Sequence, residues 1–249
     1  MKTYRGTIAA KVLLAPDTYD FTLRCPEAAA QPWTPGQFLH IGVPGRFLRR
    51  PISIAGVNGE NGTLRIIFRA VGTGTRILAG LAVGTTLDFL WPLGRGYRLP
   101  EAGSILLVGG GLGVAPLLAL GDAFPGREFH AVAGFRSANE VYGLDDLSRF
   151  CASVRLVTDD GSAGERGFVT QHLPVGPFAA VLACGPVPML RALQGVALPA
   201  PCQISLEERM ACGLGACDGC ACKVHRQDGY DHVRVCAEGP VFNLTEVQL

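Results

Sequence analysis

Ser104-Ile-Leu-Leu-Val-Gly109-Gly-Gly-Leu-Gly-Val-Ala-Pro116 is the stretch on which the reading of this chain turns. An apolar run at residues 104–108 has the length and composition of a buried strand, and residues 114–123 read as the helix that follows. Glycines at the turn between them let a nucleotide pyrophosphate approach the backbone. The helix N-terminus adds N–H donors and the positive end of its dipole. Pro116 suits a first helical turn, where its missing donor is not needed. Gly110, Gly111 and Gly113 are therefore candidate nucleotide contacts, while glycine equally serves close packing of a helix on a strand.

Downstream the same rhythm continues. Strands are expected at residues 128–135 and 179–183 and a helix at 187–194, so residues 101–200 read as a doubly wound parallel-sheet α/β domain. Cys184-Gly185-Pro186 and Thr158-Asp159-Asp160-Gly161-Ser162 each follow an apolar strand, at the carboxyl edge where such sheets bind ligands. Either segment serves equally as a tight turn, and Cys184 as a small buried residue. Arg136-Ser137 stands where an acidic ribose ligand would mark NAD. That pair fits a 2′-phosphate or a solvated loop, and leaves NAD and NADP both open.

Upstream, short β-type runs at residues 4–13, 19–24, 37–43, 51–54, 63–70 and 86–90 predict a small antiparallel barrel over residues 1–100. One helix, at 75–81, interrupts it after Gly72-Thr73-Gly74. Arg49-Arg50-Pro51-Ile52-Ser53 puts guanidinium and hydroxyl groups at the start of a strand, a disposition suited to a diphosphate and a flavin ring. Gly74 and Thr75 open the helix and can present N–H and hydroxyl donors to the same diphosphate. Taken singly, Arg50 reads as a surface charge and Gly74-Thr75 as a helix cap.

Residues 201–249 are different: short, dense in Cys and Gly, and poor in apolar periodicity, so a metal staple is expected. Five of the nine cysteines crowd into its stretch 212–236, at 212, 217, 220, 222 and 236. Cys212, Cys217 and Cys220 are spaced C-x4-C-x2-C, with Cys236 fifteen residues further on, the run expected of a [2Fe–2S] loop. Glycines 213, 215 and 219 let N–H groups turn toward sulfur. Structural zinc sites usually offer two well-separated knuckles, and here only one half fits. Cys222 follows Cys220 by two and is left out of the ligand set, and His225 and His232 read as surface residues.

Composition excludes other classes. With 22 Lys plus Arg against 21 Asp plus Glu, the chain has no field to hold a polyanion, and nucleic acid is not an expected partner. The longest apolar run, residues 105–120, is broken by glycines and Pro116 and is too short to span a bilayer, so no membrane is expected. Arg5 and Lys11 interrupt what would be a signal core, which together with clustered thiols points to the cytoplasm.

An Arg-x-x-Ser strand in a barrel, followed by Gly-Gly-Gly-Leu-Gly-Val-Ala-Pro, resembles the ferredoxin-NADP reductase-like flavoproteins over about residues 1–195. With Glu207-Glu208-Arg209-Met210-Ala211-Cys212-Gly213-Leu214-Gly215-Ala216-Cys217-Asp218-Gly219-Cys220 and Cys236-Ala237-Glu238-Gly239-Pro240-Val241-Phe242, the whole chain resembles the electron-transfer subunits of class 1B dihydroorotate dehydrogenases. The resemblance implies FAD held by Arg50, Pro51, Ile52 and Ser53, by Ile67, Phe68 and Arg69, and by Gly74 and Thr75. It implies a [2Fe–2S] cluster on Cys212, Cys217, Cys220 and Cys236, and NAD as substrate. It also implies a heterotetramer with an FMN-containing catalytic subunit that oxidises dihydroorotate in pyrimidine biosynthesis, so that no catalytic base is expected here. Trp91 stands where the superfamily has glycine, in contact with flavin or with the core. Two rivals remain: a reductase subunit for another redox complex, of the hydrogenase γ or oxygenase type, and a zinc-stapled regulatory module without catalysis.

Overall fold

In the computed structural model, which describes residues 2–249, six strands close into a barrel. They are β1 (Lys2–Ala15), β2 (Thr18–Arg24), β3 (Phe38–Ile41), β4 (Arg50–Asn58), β5 (Thr63–Arg69) and β6 (Thr86–Leu93), in the order β1-β2-β5-β4-β3-β6, all antiparallel. Alternation makes the core: in β6, Leu87, Phe89, Trp91 and Leu93 turn inward while their neighbours face out. Trp91 is fully buried, and its indole N–H donates to the Ala28 carbonyl of α1 (Pro26–Ala29) at 3.1 Å. It packs the barrel. The helix expected at 75–81 begins two residues earlier, as α2 (Thr73–Gly80).

The second layer is a seven-stranded sheet flanked by α3 (Val114–Ala123), α4 (Leu144–Ser148) and α5 (Val187–Gln194). Its strands β7 (Ser104–Gly110), β8 (Phe129–Phe135), β9 (Cys151–Thr158), β10 (Glu165–Arg166) and β11 (Phe178–Cys184) run parallel, as the alternating β and α segments predict. Beyond β11 come β12 (Cys202–Ser205), parallel, and β15 (Val241–Asn243), antiparallel to β12. Between them in sequence, β13 (Ala221–Arg226) and β14 (Gly229–Arg234) form a separate hairpin.

Both ends of the C-terminal segment are thus stitched into the nucleotide sheet. Val224, Val233, Val235, Leu244 and Val247 lie in one buried cluster with Val108, Val181 and Ile204. A metal staple is not all that holds this segment, because its scattered apolar residues complete a core begun by other strands.

An ion-pair lattice docks the barrel to the sheet domain. Arg65 of β5 donates through Nε to Asp20 and through Nη2 to Asp146 of α4, each at 2.8 Å. No helix among the described residues is long and apolar enough to cross a membrane.

Candidate functional site at the barrel, sheet and cysteine loop

Barrel, sheet and C-terminal segment converge on a cleft of about 490 Å3. The barrel contributes Pro51, Ile52 and Ser53 from β4, Ile67, Phe68 and Arg69 from β5, and Thr75 from α2. The sheet domain adds Leu112, Ala115 and Pro116 from the turn into α3, and the C-terminal segment adds residues 206–210.

Arg50 stands at the edge of this cleft, against the start of α2. A Cβ built on Gly74 would fall 2.5 Å from its Nε and 2.6 Å from its Cζ, so glycine is what lets the guanidinium lie on the helix N-terminus. Carbonyls of Leu48 and Arg49 accept from its Nη1 at 2.8 and 3.0 Å, holding it there. Thr75 is tied locally, its hydroxyl accepting from the Gly72 N–H at 3.1 Å. Guanidinium, helix N–H groups and hydroxyl form a cradle of the kind that binds a diphosphate. Arg69 donates to Glu140 at 3.1 Å and to Thr18 at 3.3 Å, which fixes it at the cleft wall.

The glycine turn divides by role. A Cβ on Gly113 would lie 2.2 Å from the Cys184 carbonyl oxygen, so packing against backbone requires that glycine, while one on Gly110 would lie 2.5 Å from Met189 Sδ, a flexible side chain packed against it. Gly111 has φ +52° and open space around its Cβ position, and is the member of the three free to face a ligand. Cys184 is buried at the end of β11, where burial and then the nearby Glu207 carboxylate push its thiol well above the usual range. Gly185 packs under Met189, and exposed Pro186 caps α5. Arg136, on the far side of the same sheet edge, is exposed.

At the cysteine loop, backbone N–H groups point at sulfur. Leu214 and Ala216 donate to Cys212 at 3.3 and 3.4 Å, Gly215 to Cys236 at 3.1 Å, and Cys236 N–H to Cys220 at 3.4 Å. The thiols pair as Cys212 with Cys217 and Cys220 with Cys236. Two facing pairs suit two irons. Burial raises Cys212, but the Leu214 and Ala216 donors outweigh it and lower the thiol to about 6, the response of a sulfur already set up to carry charge. Cys222 lies on β13 with Val224 beneath it, and burial first, then Glu208, pushes it up to about 11. His225 and His232 are exposed.

Three residues not among the expected site residues complete the site. Arg234 donates to the Gly215 carbonyl at 2.7 Å and to Glu238 at 2.6 Å, buttressing the loop. Glu207 lines the cleft while remaining exposed to solvent, and partial desolvation by the surrounding walls raises its carboxyl, with Arg69 partly opposing that. His40 of β3 is fully buried beside Gly213, and burial and then the Arg49 charge lower it to about 4. His40 could not be found from spacing, because Gly213 lies far from it in sequence; Glu207 lies in the stretch that leads into the cysteine loop, and Arg234 pairs locally with Glu238 while reaching back to Gly215.

Known proteins show the same assembly. A model of the iron–sulfur cluster binding domain of dihydroorotate dehydrogenase B matches residues 207–248. The chain is 41% identical over 258 residues to the dihydroorotate dehydrogenase B (NAD(+)), electron transfer subunit of Shouchella clausii, covering 100% of this chain and 99% of that one. It is 40% identical over 263 residues to the subunit of the same name from Fusobacterium nucleatum, covering 100% of both. Among solved structures, the NADH-dependent reduced ferredoxin-NADP oxidoreductase matches with a TM-score of 0.87 at 29% identity, over 98% of this chain and 89% of that one. Phthalate dioxygenase reductase, at 19% identity, shares the fold with a TM-score of 0.67 over 94% of each chain. Identity of this degree along the whole length places the chain in the family of dihydroorotate dehydrogenase B (NAD(+)) electron transfer subunits.

Proposed function

We propose that this chain serves pyrimidine biosynthesis in the cytoplasm, relaying electrons from an FMN-containing dihydroorotate dehydrogenase catalytic subunit to NAD+. Its cofactors are FAD and a [2Fe–2S] cluster, with NAD as substrate. A flavin exchanges one electron or a hydride, and a cluster one electron at a time, so together they match single-electron supply to two-electron nicotinamide chemistry.

The observation that carries the reading is the shared cleft: one cavity is walled by the barrel, by the turn that opens α3, and by residues 206–210, which run directly into the cysteine loop. On that basis the labour divides along the chain, residues 1–100 for FAD, 101–200 for NAD and 201–249 for the cluster. Arg50 and Gly74 with Thr75 would hold the FAD diphosphate. Pro51, Ile52 and Ser53 with Ile67, Phe68 and Arg69 would wall the flavin ring. Gly111, supported by Gly110 and Gly113, would face NAD pyrophosphate, with Cys184, Gly185 and Pro186 bordering the nicotinamide end. Cys212, Cys217, Cys220 and Cys236 would ligate the cluster.

Co-expression with a dihydroorotate dehydrogenase catalytic subunit tests this. The expected result is a stable complex that reduces NAD+ in the presence of dihydroorotate. If the pair neither associates nor reduces NAD+ while the chain carries flavin and cluster, the partner is another redox protein.

A further inference from the structure

Arg136 and Ser137 follow the end of β8, the place where an acidic residue would take the ribose of NAD. The acid stands one strand further on. Along the carboxyl edge of the sheet, Gly110 of β7 pairs with Gly134 of β8, and Gly134 pairs with Val157 of β9. The glycine turn, Arg136 and Asp160 therefore follow one another from strand end to strand end, at about 4.8 Å per strand. The Asp160 N–H donates to the Arg136 carbonyl at 3.3 Å, which joins the last two directly.

On the other flank of the glycine turn, β11 ends at Cys184, and the cleft opens toward the barrel. A dinucleotide with its pyrophosphate at Gly111 and its nicotinamide end in that cleft must run its adenosine half the other way, over the ends of β8 and β9. Asp160 presents a fixed charge there. Its Oδ1 accepts from the Ser162 hydroxyl at 2.6 Å and from the Ser162 N–H at 2.9 Å. The same hydroxyl oxygen accepts from the Ala138 N–H at 2.7 Å, which ties the carboxylate to the loop that follows Arg136. These bonds from Ser162, the hydroxyl first, hold the carboxyl below its usual range, so it is ionised at neutral pH. Both fall on Oδ1, which leaves Oδ2 of this exposed residue for a ligand.

We propose that Asp160 accepts hydrogen bonds from the ribose hydroxyls of the adenosine half of NAD and excludes a 2′-phosphate there, with Arg136 beside it able to hold that phosphate once the carboxylate is removed. The inference rests on the reading that the turn at Gly111 receives the nucleotide pyrophosphate. A hydroxyl donating to a carboxylate makes a charge-assisted bond, whereas a phosphate set against the same oxygen meets like charge.

The test uses the full chain loaded with flavin and cluster and follows NADH and NADPH oxidation with ferricyanide as acceptor, which needs no partner subunit. Wild type is expected to prefer NADH. In Asp160→Ala the KM for NADH should rise about tenfold with kcat little changed, since the ribose is remote from the reacting ring, while NADPH oxidation improves. Adding Arg136→Ala should remove that gain. An NADH analogue lacking the adenosine 2′-hydroxyl reads the same contact on unaltered protein: its KM should exceed that of NADH in wild type and match it in Asp160→Ala. Equal use of both nucleotides by wild type, an unchanged preference in Asp160→Ala, an NADPH gain that survives Arg136→Ala, or equal KM values for NADH and the analogue in wild type overturns the proposal. Should Asp160→Ala fail to fold, the analogue on wild-type protein decides alone. Protein that carries flavin and cluster yet oxidises neither nucleotide would sink the reading of the Gly111 turn, a failure distinct from one that oxidises both alike.

Discussion

Replacing Gly74 with alanine separates flavin binding from folding. The new methyl would lie 2.5 to 2.6 Å from Arg50 Nε, Cζ and Nη2, closer than any carbon can approach, so something must move. Those atoms are the far end of a flexible side chain, and they can swing away. Gly74 sits within α2, where its backbone shows no positive φ, and alanine there favours the helix by about 0.5–1 kcal/mol over glycine. The FAD-free protein should therefore melt at the wild-type temperature or a few degrees higher, at roughly 2–4 °C per kcal/mol for a chain of this size.

Flavin affinity should respond in the opposite sense. Displacing Arg50 from the helix N-terminus removes charge-assisted hydrogen bonds to the diphosphate, about 1.5–3 kcal/mol, or roughly 10- to 150-fold in Kd. Flavin fluorescence quenching on FAD-depleted protein measures this, and circular dichroism melting of the same sample measures stability. Because both changes act through one guanidinium, the Gly74→Ala/Arg50→Ala double variant should bind FAD no more weakly than Arg50→Ala alone. An unchanged Kd in a normally folded Gly74→Ala protein would remove Arg50 from the flavin site, and additive losses in the double variant would refute the shared cause.

Gly113→Ala offers the contrast: its methyl would meet the backbone of Cys184 and Gly185 at 2.2 to 2.5 Å, which cannot swing aside, so calorimetry should record a loss of about 1–3 kcal/mol or more. Cys217→Ser should abolish iron and acid-labile sulfide, whereas Cys222→Ser, on the face of β13 that packs against the core, should retain both in elemental analysis. After chelation of the iron, iodoacetamide at pH 7 should modify Cys212 before Cys151, Cys184 and Cys202. Its sulfur, near 6, is then mostly thiolate, while burial pushes Cys151 and Cys202 up to about 12 and Cys184 higher still. Mass spectrometry of the alkylated peptides reads the order, and early labelling of Cys184 would contradict its burial.

The barrel and the parallel sheet are legible in the sequence because their signals are local. Period-two burial in β6 and the strand, glycine turn and helix at 104–123 depend on neighbours within a few residues. The cysteine loop is legible for the same reason. What escapes local reading is pairing across distance: Cys202–Ser205 and Val241–Asn243 are short and unremarkable until β11 pairs the first and the first pairs the second. Gly110, Gly111 and Gly113 look alike in the sequence, and only the positions of Met189 and Cys184 separate the packing glycines from the open one. His40 reads as one more alternating residue of a strand, since the Gly213 that gives it meaning lies more than 170 positions away.

That long-range pairing bears on electron transfer. Were the cysteine loop held by metal alone, its distance from the flavin strand would vary with the fluctuations of a short tail. Instead β12 and β15 fix both of its ends to the nucleotide sheet, and Val224, Val233 and Val235 anchor the hairpin within the same apolar cluster. The barrel closes the third side through His40 on Gly213, and the Gly94 to Pro240 approach, where a Cβ would lie 2.6 Å from Pro240 Cδ, presses the return strand onto β6's exit. Nucleotide turn, flavin strand and cysteine loop are therefore parts of one packed body. Relative placement of the three proposed sites is then set by side-chain packing, which is stiff, rather than by the groups they would hold.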